Sequence, residues 1–192
     1  MASASTLTAA KNRLAELRRE LRSRSLDAYV ISHIPSLRYF FGFSGSTALA
    51  IVTNRKVFFF TNDLYEIQVR KELHKIDGLE IIVDRDTWGT VAKKGLARTW
   101  KSVGFDPTRH TVASFKSMKK ALSPAKLVET PSLTESIIRV KSSAEIKSIA
   151  EAARIASIAY ERLLGVLRPG MTELQVAAFL ATTTRELGSE KD

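Results

Sequence analysis

Between residues 8 and 24 apolar side chains return at three- and four-residue steps, with Leu14, Leu17 and Leu21 set among arginines and glutamates. That spacing predicts a surface helix with one buried stripe. The pattern then contracts to Asp27-Ala28-Tyr29-Val30-Ile31-Ser32, a short β-branched and aromatic run that suits a strand, stopped by Pro35. Residues 35–46, PSLRYFFGFSGS, combine a helical-turn start with two glycines and read as a shaped loop. Two apolar runs, Thr47 to Thr53 and Lys56 to Thr61, flank Asn54-Arg55 as in a tight hairpin of buried strands. The run Val57-Phe58-Phe59-Phe60 requires cover on both faces.

Helix and strand patterns then alternate. Asn62-Asp63 is placed to cap a helix carrying Leu64, Ile67, Gln68 and Leu73 and ending at His74, followed by a strand from Leu79 to Val83. A helix is expected over Thr87 to Trp100, a short strand over Val103 to Asp106 closed by Pro107, a helix over Ser114 to Leu122, and a strand over Lys126 to Glu129. Strands interleaved with helices imply an α/β fold, a mixed sheet flanked by helices. After Pro131 the pattern changes. Residues 132–139 read as a connecting turn or short helix, and Ser142-Ser143-Ala144-Glu145 forms a capping box. The helix it opens keeps Ile146, Ile149, Ala153, Ala156, Tyr160, Leu163 and Leu164 in helical spacing until Arg168-Pro169-Gly170. Thr172-Glu173-Leu174-Gln175 is a second capping box, opening a helix through Val176, Ala177, Leu180 and Leu187 that ends at Gly188. No strand is predicted after residue 130. Two such helices cannot bury their apolar stripes alone, so they are expected to pack on the first domain, on another chain or on a missing segment, and the chain reads as cut short.

Composition narrows the chemistry. A chain of 192 residues with 44% hydrophobic and 26% charged residues is globular and buries roughly 70% of its unfolded surface. No apolar stretch approaches the roughly 18 residues of a membrane span, and the first residues lack the apolar core of a secretory signal, so a cytoplasmic location is expected. Zero cysteines exclude disulfides and thiolate nucleophiles, and three histidines, His33, His74 and His110, leave few soft metal ligands. None of the three belongs to an HExxH cluster, and neither a G-x-S-x-G elbow nor a phosphate-binding GK[ST] loop is present. Asp27, Asp63, Asp84 and Asp106 follow no spacing of a magnesium-dependent nuclease. Thirty Lys and Arg against twenty Asp and Glu give a net charge of +10. Between residues 91 and 126 stand Lys93, Lys94, Arg98, Lys101, Arg109, Lys116, Lys119, Lys120 and Lys126 against one acid, Asp106. This predicts a solvated basic face, with an acidic partner as the alternative. The stretch has no Arg-Gly-aromatic motif or finger spacing, and little aromatic interleaving, that would point to nucleic acid.

Four motifs carry a resemblance. Leu26-Asp27-Ala28 followed by Arg38-Tyr39-Phe40-Phe41-Gly42-Phe43-Ser44-Gly45-Ser46 looks like an R-Y-x-x-G-F-S-G-S loop. Phe60-Thr61-Asn62-Asp63-Leu64-Tyr65 stands where F-T-D-G-R-Y is usual, with Asn62 in place of the acid and Leu64 in place of the arginine. Ile138-Arg139-Val140-Lys141-Ser142 with Glu145-Ile146 resembles I-R-x-x-K-S-x-x-E-I, and Arg168-Pro169-Gly170-Met171-Thr172-Glu173 resembles R-P-G-M-T-E. On these motifs the chain is similar, nearly end to end, to the creatinase, prolidase and Xaa-Pro aminopeptidase family, which joins an N-terminal α/β domain to a C-terminal pita-bread metallopeptidase domain.

The resemblance implies a sheet of ribonuclease H-like layout over residues 1–135, then, over residues 136–192, a linker and the first two helices of an incomplete pita-bread domain. It implies that the chain serves assembly and substrate gating in a homodimeric, metal-dependent Xaa-Pro aminopeptidase or dipeptidase acting on proline-containing peptides. The family's two divalent metals, manganese, cobalt or zinc, take two Asp, one His and two Glu downstream of this sequence, so no metal ligand or catalytic residue is expected here and the chain alone is expected to be inactive. Arg38, Tyr39, Phe43, Ser44 and Ser46 are implied to shape a loop facing the neighbouring subunit's site, with Gly42 and Gly45 giving backbone freedom and Tyr65 beside them. Some relatives of this architecture are protein-binding modules without peptidase activity, which leaves a non-catalytic module using the basic surface as the alternative.

Overall fold

The computed structural model describes residues 4–73 and 75–190; the expectation that His74 ends a helix lies outside the described residues. The chain divides into two compact units, Met1–Arg139 and Val140–Asp192.

In the first unit, six strands form one mixed sheet in the order β4-β3-β2-β1-β5-β6. They are β1 Ala28–Ile31, β2 Ala48–Thr53, β3 Val57–Thr61, β4 Leu79–Val83, β5 Ser102–Phe105 and β6 Lys126–Glu129. Strand β2 is antiparallel to both its neighbours and every other pairing is parallel. The ribonuclease H-like layout is thus present, with β4 added beside β3. Because side chains alternate across a strand, each face collects its own layer. One layer packs Tyr29, Ile31, Ala50, Val52, Val57 and Phe59 against helices α1 Ala4–Ser23, α2 Ile34–Phe41, α3 Glu66–Glu72 and α6 Leu133–Arg139. The other packs Val30, Ile51, Phe58, Phe60 and Phe105 against α4 Thr87–Lys94 and α5 Val112–Ala121. Register aligns Phe58, Ile51, Val30 and Phe105 in one row across four strands. All five residues of β3 are buried, as the apolar run required.

Three elements differ from their sequence reading. Residues 35–46 begin as a helix, not a loop: Pro35 lies in the first turn of α2, where its missing N–H costs nothing, and Leu37, Phe40 and Phe41 recur at helical spacing on its buried side. The segment after β3 opens with a 3-10 turn, Asp63–Tyr65, and Asn62 makes no side-chain cap. Val69 and Leu73 are its buried residues, whereas Leu64 and Ile67 stand 80% and 71% exposed. Helix α4 stops at Lys94 because Gly95 takes a left-handed conformation with φ 61° and closes the helix.

In the second unit, α7 Ser143–Val166 and α8 Glu173–Glu186 each start from the expected reciprocal capping box, Ser142 with Glu145 and Thr172 with Gln175. Gly188 follows α8 with φ 102°. No strand follows residue 130 among the described residues. Ala159, Leu163 and Thr183 are buried, but Ile146, Ile149, Tyr160 and Leu164 are exposed. At 14 residues against 24, α8 is too short to cover the length of α7.

Phe59→Ala is expected to cost about 3–5 kcal/mol of stability, whereas Leu64→Ala stays within about 0.5 kcal/mol. Urea unfolding of the two variants checks the contrast.

Candidate functional site

The loop that leaves α2 is held from below by aromatic packing. Gly42, at φ 81°, ends the helix and donates its N–H to the Arg38 carbonyl; this left-handed turn sends the chain back toward the sheet. Phe43 is fully buried, its ring 5.3 Å from Phe59 and 5.6 Å from Tyr65, both edge-on. Phe41 meets the same Phe59 at 5.6 Å. Gly45 has no positive φ; its lack of a side chain answers a different need. A Cβ there would stand 2.8 Å from the Tyr65 ring and closer still to Phe43. The backbone freedom expected of both glycines is therefore needed at Gly42, while Gly45 provides space.

Polar bonds fix the loop from the side. The Ser44 amide and hydroxyl donate to the two oxygens of Glu72 at 2.8 and 2.7 Å. Gln68, one turn earlier on α3, donates to the Ser44 hydroxyl at 3.0 Å and to Glu72 at 2.9 Å. Burial pushes the Glu72 carboxyl up, but the bonds from Ser44 and Gln68 and the nearby Arg38 charge outweigh it, so the group lies below its usual range. On the outer rim the Ser46 and Tyr65 hydroxyls meet at 2.7 Å, and bonding from Ser46 holds the phenol below its ordinary value.

Phe43, Ser44, Gly45, Ser46 and Tyr65 are thus brought together as one unit. Arg38 is exposed at its edge. Tyr39 turns toward α1, where the Arg13 guanidinium lies 4.0 Å from its ring centre and donates to its carbonyl at 2.8 Å. Sequence reasoning missed Glu72 and Gln68, whose trace was their i, i+4 spacing on one helix. Beside the loop, a cavity of about 460 Å³ opens at the ends of β3 and β4, lined by Asn62, Asp63 and Arg85 among others. Arg85 grips Asp63 with two bonds of 2.9 and 2.6 Å, which holds the Asp63 carboxyl below its usual range.

Asp27, Asp84, Asp106, His33 and His110 serve local structure. Asp27 accepts the Lys101 and Ser102 amides, Asp84 the Thr90 hydroxyl and Asp86 amide, and Asp106 the Thr108 and Ser132 amides. His33 bonds Ser36 at 3.0 Å, and His110 sits 3.4 Å from both Ser32 and Ser114, its pKa lowered by burial. Among the described residues no group of three or more His, Asp or Glu could hold a metal ion.

Comparison with known proteins adds four findings. The family described as the Creatinase/Prolidase N-terminal domain matches residues 13–139. The uncharacterized peptidase YqhT of Bacillus subtilis strain 168 is 31% identical over 183 residues, 93% of this chain and 50% of its own length. The Xaa-Pro dipeptidase from Bacillus anthracis superposes with a TM-score of 0.82 at 27% identity, over 95% of this chain and 50% of that one. The N-terminal domain of the cytoplasmic peptidase PepQ from Mycobacterium tuberculosis H37Rv superposes with a TM-score of 0.60 at 25% identity, over 66% of this chain and 98% of that one. The chain spans about half the length of the first two proteins.

Glu72→Gln is expected to cost about 1 kcal/mol at neutral pH. Since the folded carboxyl lies below its unfolded value, its contribution is present above the unfolded pKa and lost as pH falls through the folded one. Urea midpoints measured from neutral pH into acid are expected to converge for the variant and the parent.

Proposed function

The chain belongs to the creatinase/prolidase family through its N-terminal domain, and from that premise we propose that it supplies assembly and substrate gating to a metal-dependent Xaa-Pro aminopeptidase or dipeptidase. Such a hydrolase cleaves the bond before proline, whose tertiary amide and fixed ring call for a dedicated pocket. The observation that carries the reading is the loop of residues 43–46, which combines a buried aromatic anchor with a polar rim. Phe43 and Gly45 hold its height, and the Glu72 clamp on Ser44 holds its angle. What stays available to a peptide is the edge formed by Arg38, Ser46 and Tyr65, able to offer charge and hydroxyl contacts to a chain lying across it. A rim held this firmly limits substrate length at a neighbouring subunit's site without taking part in bond cleavage.

The described residues do not form a metal site, so no step of hydrolysis is derived from them. The reading assigns the two divalent metals, manganese, cobalt or zinc, to the length of the relatives that this chain does not span. It includes a homodimer, supported by the exposed apolar side chains Ile146, Ile149, Tyr160 and Leu164 on α7. It also extends to a cytoplasmic location, that of the mycobacterial peptidase PepQ; among the described residues no helix is long and apolar enough to cross a membrane.

In a form of the protein that carries the catalytic half, Arg38→Ala and Ser46→Ala are expected to change kcat/KM by about tenfold, with different factors for short and long Xaa-Pro peptides. Unchanged kinetics at every length, with folding intact, would sink the gating role. For assembly, sedimentation of the 192-residue chain is expected to give a dimer that Ile149→Glu with Leu164→Glu converts to monomer. A monomeric parent at all concentrations counts against the dimer.

A further inference from the structure

The outer face of α4 and α5 carries a cluster of exposed lysines. Lys93 and Lys94 on α4 and Lys116, Lys119 and Lys120 on α5 are all exposed. Among the described residues one ion pair reaches this group, Lys94 with Glu80 at 3.2 Å. Lysines in the last turn of a helix complement its free carbonyls, which accounts for some of these positions but not for Lys116 in the middle of α5. Of the acids nearby in sequence, Asp84 feels the charge of Lys93, Asp86 caps α4, and Asp106 is buried and engaged with Thr108 and Ser132. Five like charges on neighbouring helices repel one another, so an anionic partner gains from neutralising them.

Between the two helices runs a groove of about 400 Å³, formed where Trp88, Gly89 and Ala92 of α4 stand beside Ser117, Lys120 and Ala121 of α5. Asp86 closes one end, its carboxylate already accepting the Gly89 amide at 2.9 Å. The small side chains leave a concave apolar floor with one aromatic wall, Lys120 stands on its rim, and the exposed Lys93 and Lys116 lie one residue along from Ala92 and Ser117.

We propose that this groove binds an acidic peptide segment carrying one bulky apolar side chain. The apolar side chain lies against Trp88 between Ala92 and Ala121, and the carboxylates on either side of it meet Lys120 and the flanking Lys93 and Lys116. A concave apolar pocket ringed by charge selects a side chain. Nucleic acid would instead need an aromatic plane open to its bases, and Trp88, Trp100 and Phe115 on this side of the sheet are each half-buried. The site lies on the face of the sheet opposite the loop between α2 and β2 and does not depend on the gating role.

The test uses the whole chain and three labelled probes read by fluorescence anisotropy: a glutamate peptide with one central Leu, the same peptide with Gly at the centre, and a single-stranded oligonucleotide of equal charge. The Leu peptide is expected to bind about tenfold tighter than the Gly peptide, and both to weaken as salt rises. Ser117→Trp, which fills the groove from an exposed position, is expected to remove the difference between the peptides while leaving the weaker binding. Lys116→Glu with Lys120→Glu is expected to weaken both by about tenfold, with circular dichroism confirming the fold. Equal affinity for the two peptides, tighter binding of the oligonucleotide, or no binding at all each overturns the proposal.

Discussion

The packing of Phe59 is the constraint on which the rest depends. It sits at the centre of β3, a strand buried along its whole length, and on one side it receives Phe41 and Phe43 edge-on. The same ring therefore closes the hydrophobic layer under α1 and α2 and fixes the height of the loop that follows α2. Aromatic rings meeting edge to face add directionality to simple burial. The loop is in this sense a continuation of the core rather than an appendage to it, and its polar rim inherits the rigidity of the sheet.

Charge is divided unevenly over this frame. The carboxylates of Asp27, Asp84 and Asp106 are spent on backbone amides and hydroxyls at the ends of strands, and Glu72 is spent on Ser44. These acids are held by the chain itself, and thirty Lys and Arg against twenty Asp and Glu leave the net charge of +10. The basic face of α4 and α5 is one place where that excess gathers.

Much of this was legible in the residues. Short apolar runs located all six strands, and the serine and threonine capping boxes located the starts of α7 and α8, because both signals act over a few residues. The motif resemblance agrees with the family match over residues 13–139. Pro35 misled because it can end a strand or begin a helix, and the choice was settled by the buried spacing of Leu37, Phe40 and Phe41. Leu64, Ile67 and Leu73 resemble a buried stripe, yet after the 3-10 turn only Leu73 of the three is buried, with Val69 facing inward beside it. The Ser44–Glu72 clamp joins residues 28 positions apart, and no local pattern announces a bond that exists only once α3 is docked.

The wedge of Gly45 between Phe43 and Tyr65 bears on how such a loop diversifies. Its centre admits no side chain, so sequence change is channelled outward to Ser46 and Arg38, whose side chains are exposed. A lineage, or a designer working with a library, can alter the chemistry of that rim one residue at a time while the backbone beneath it keeps its course.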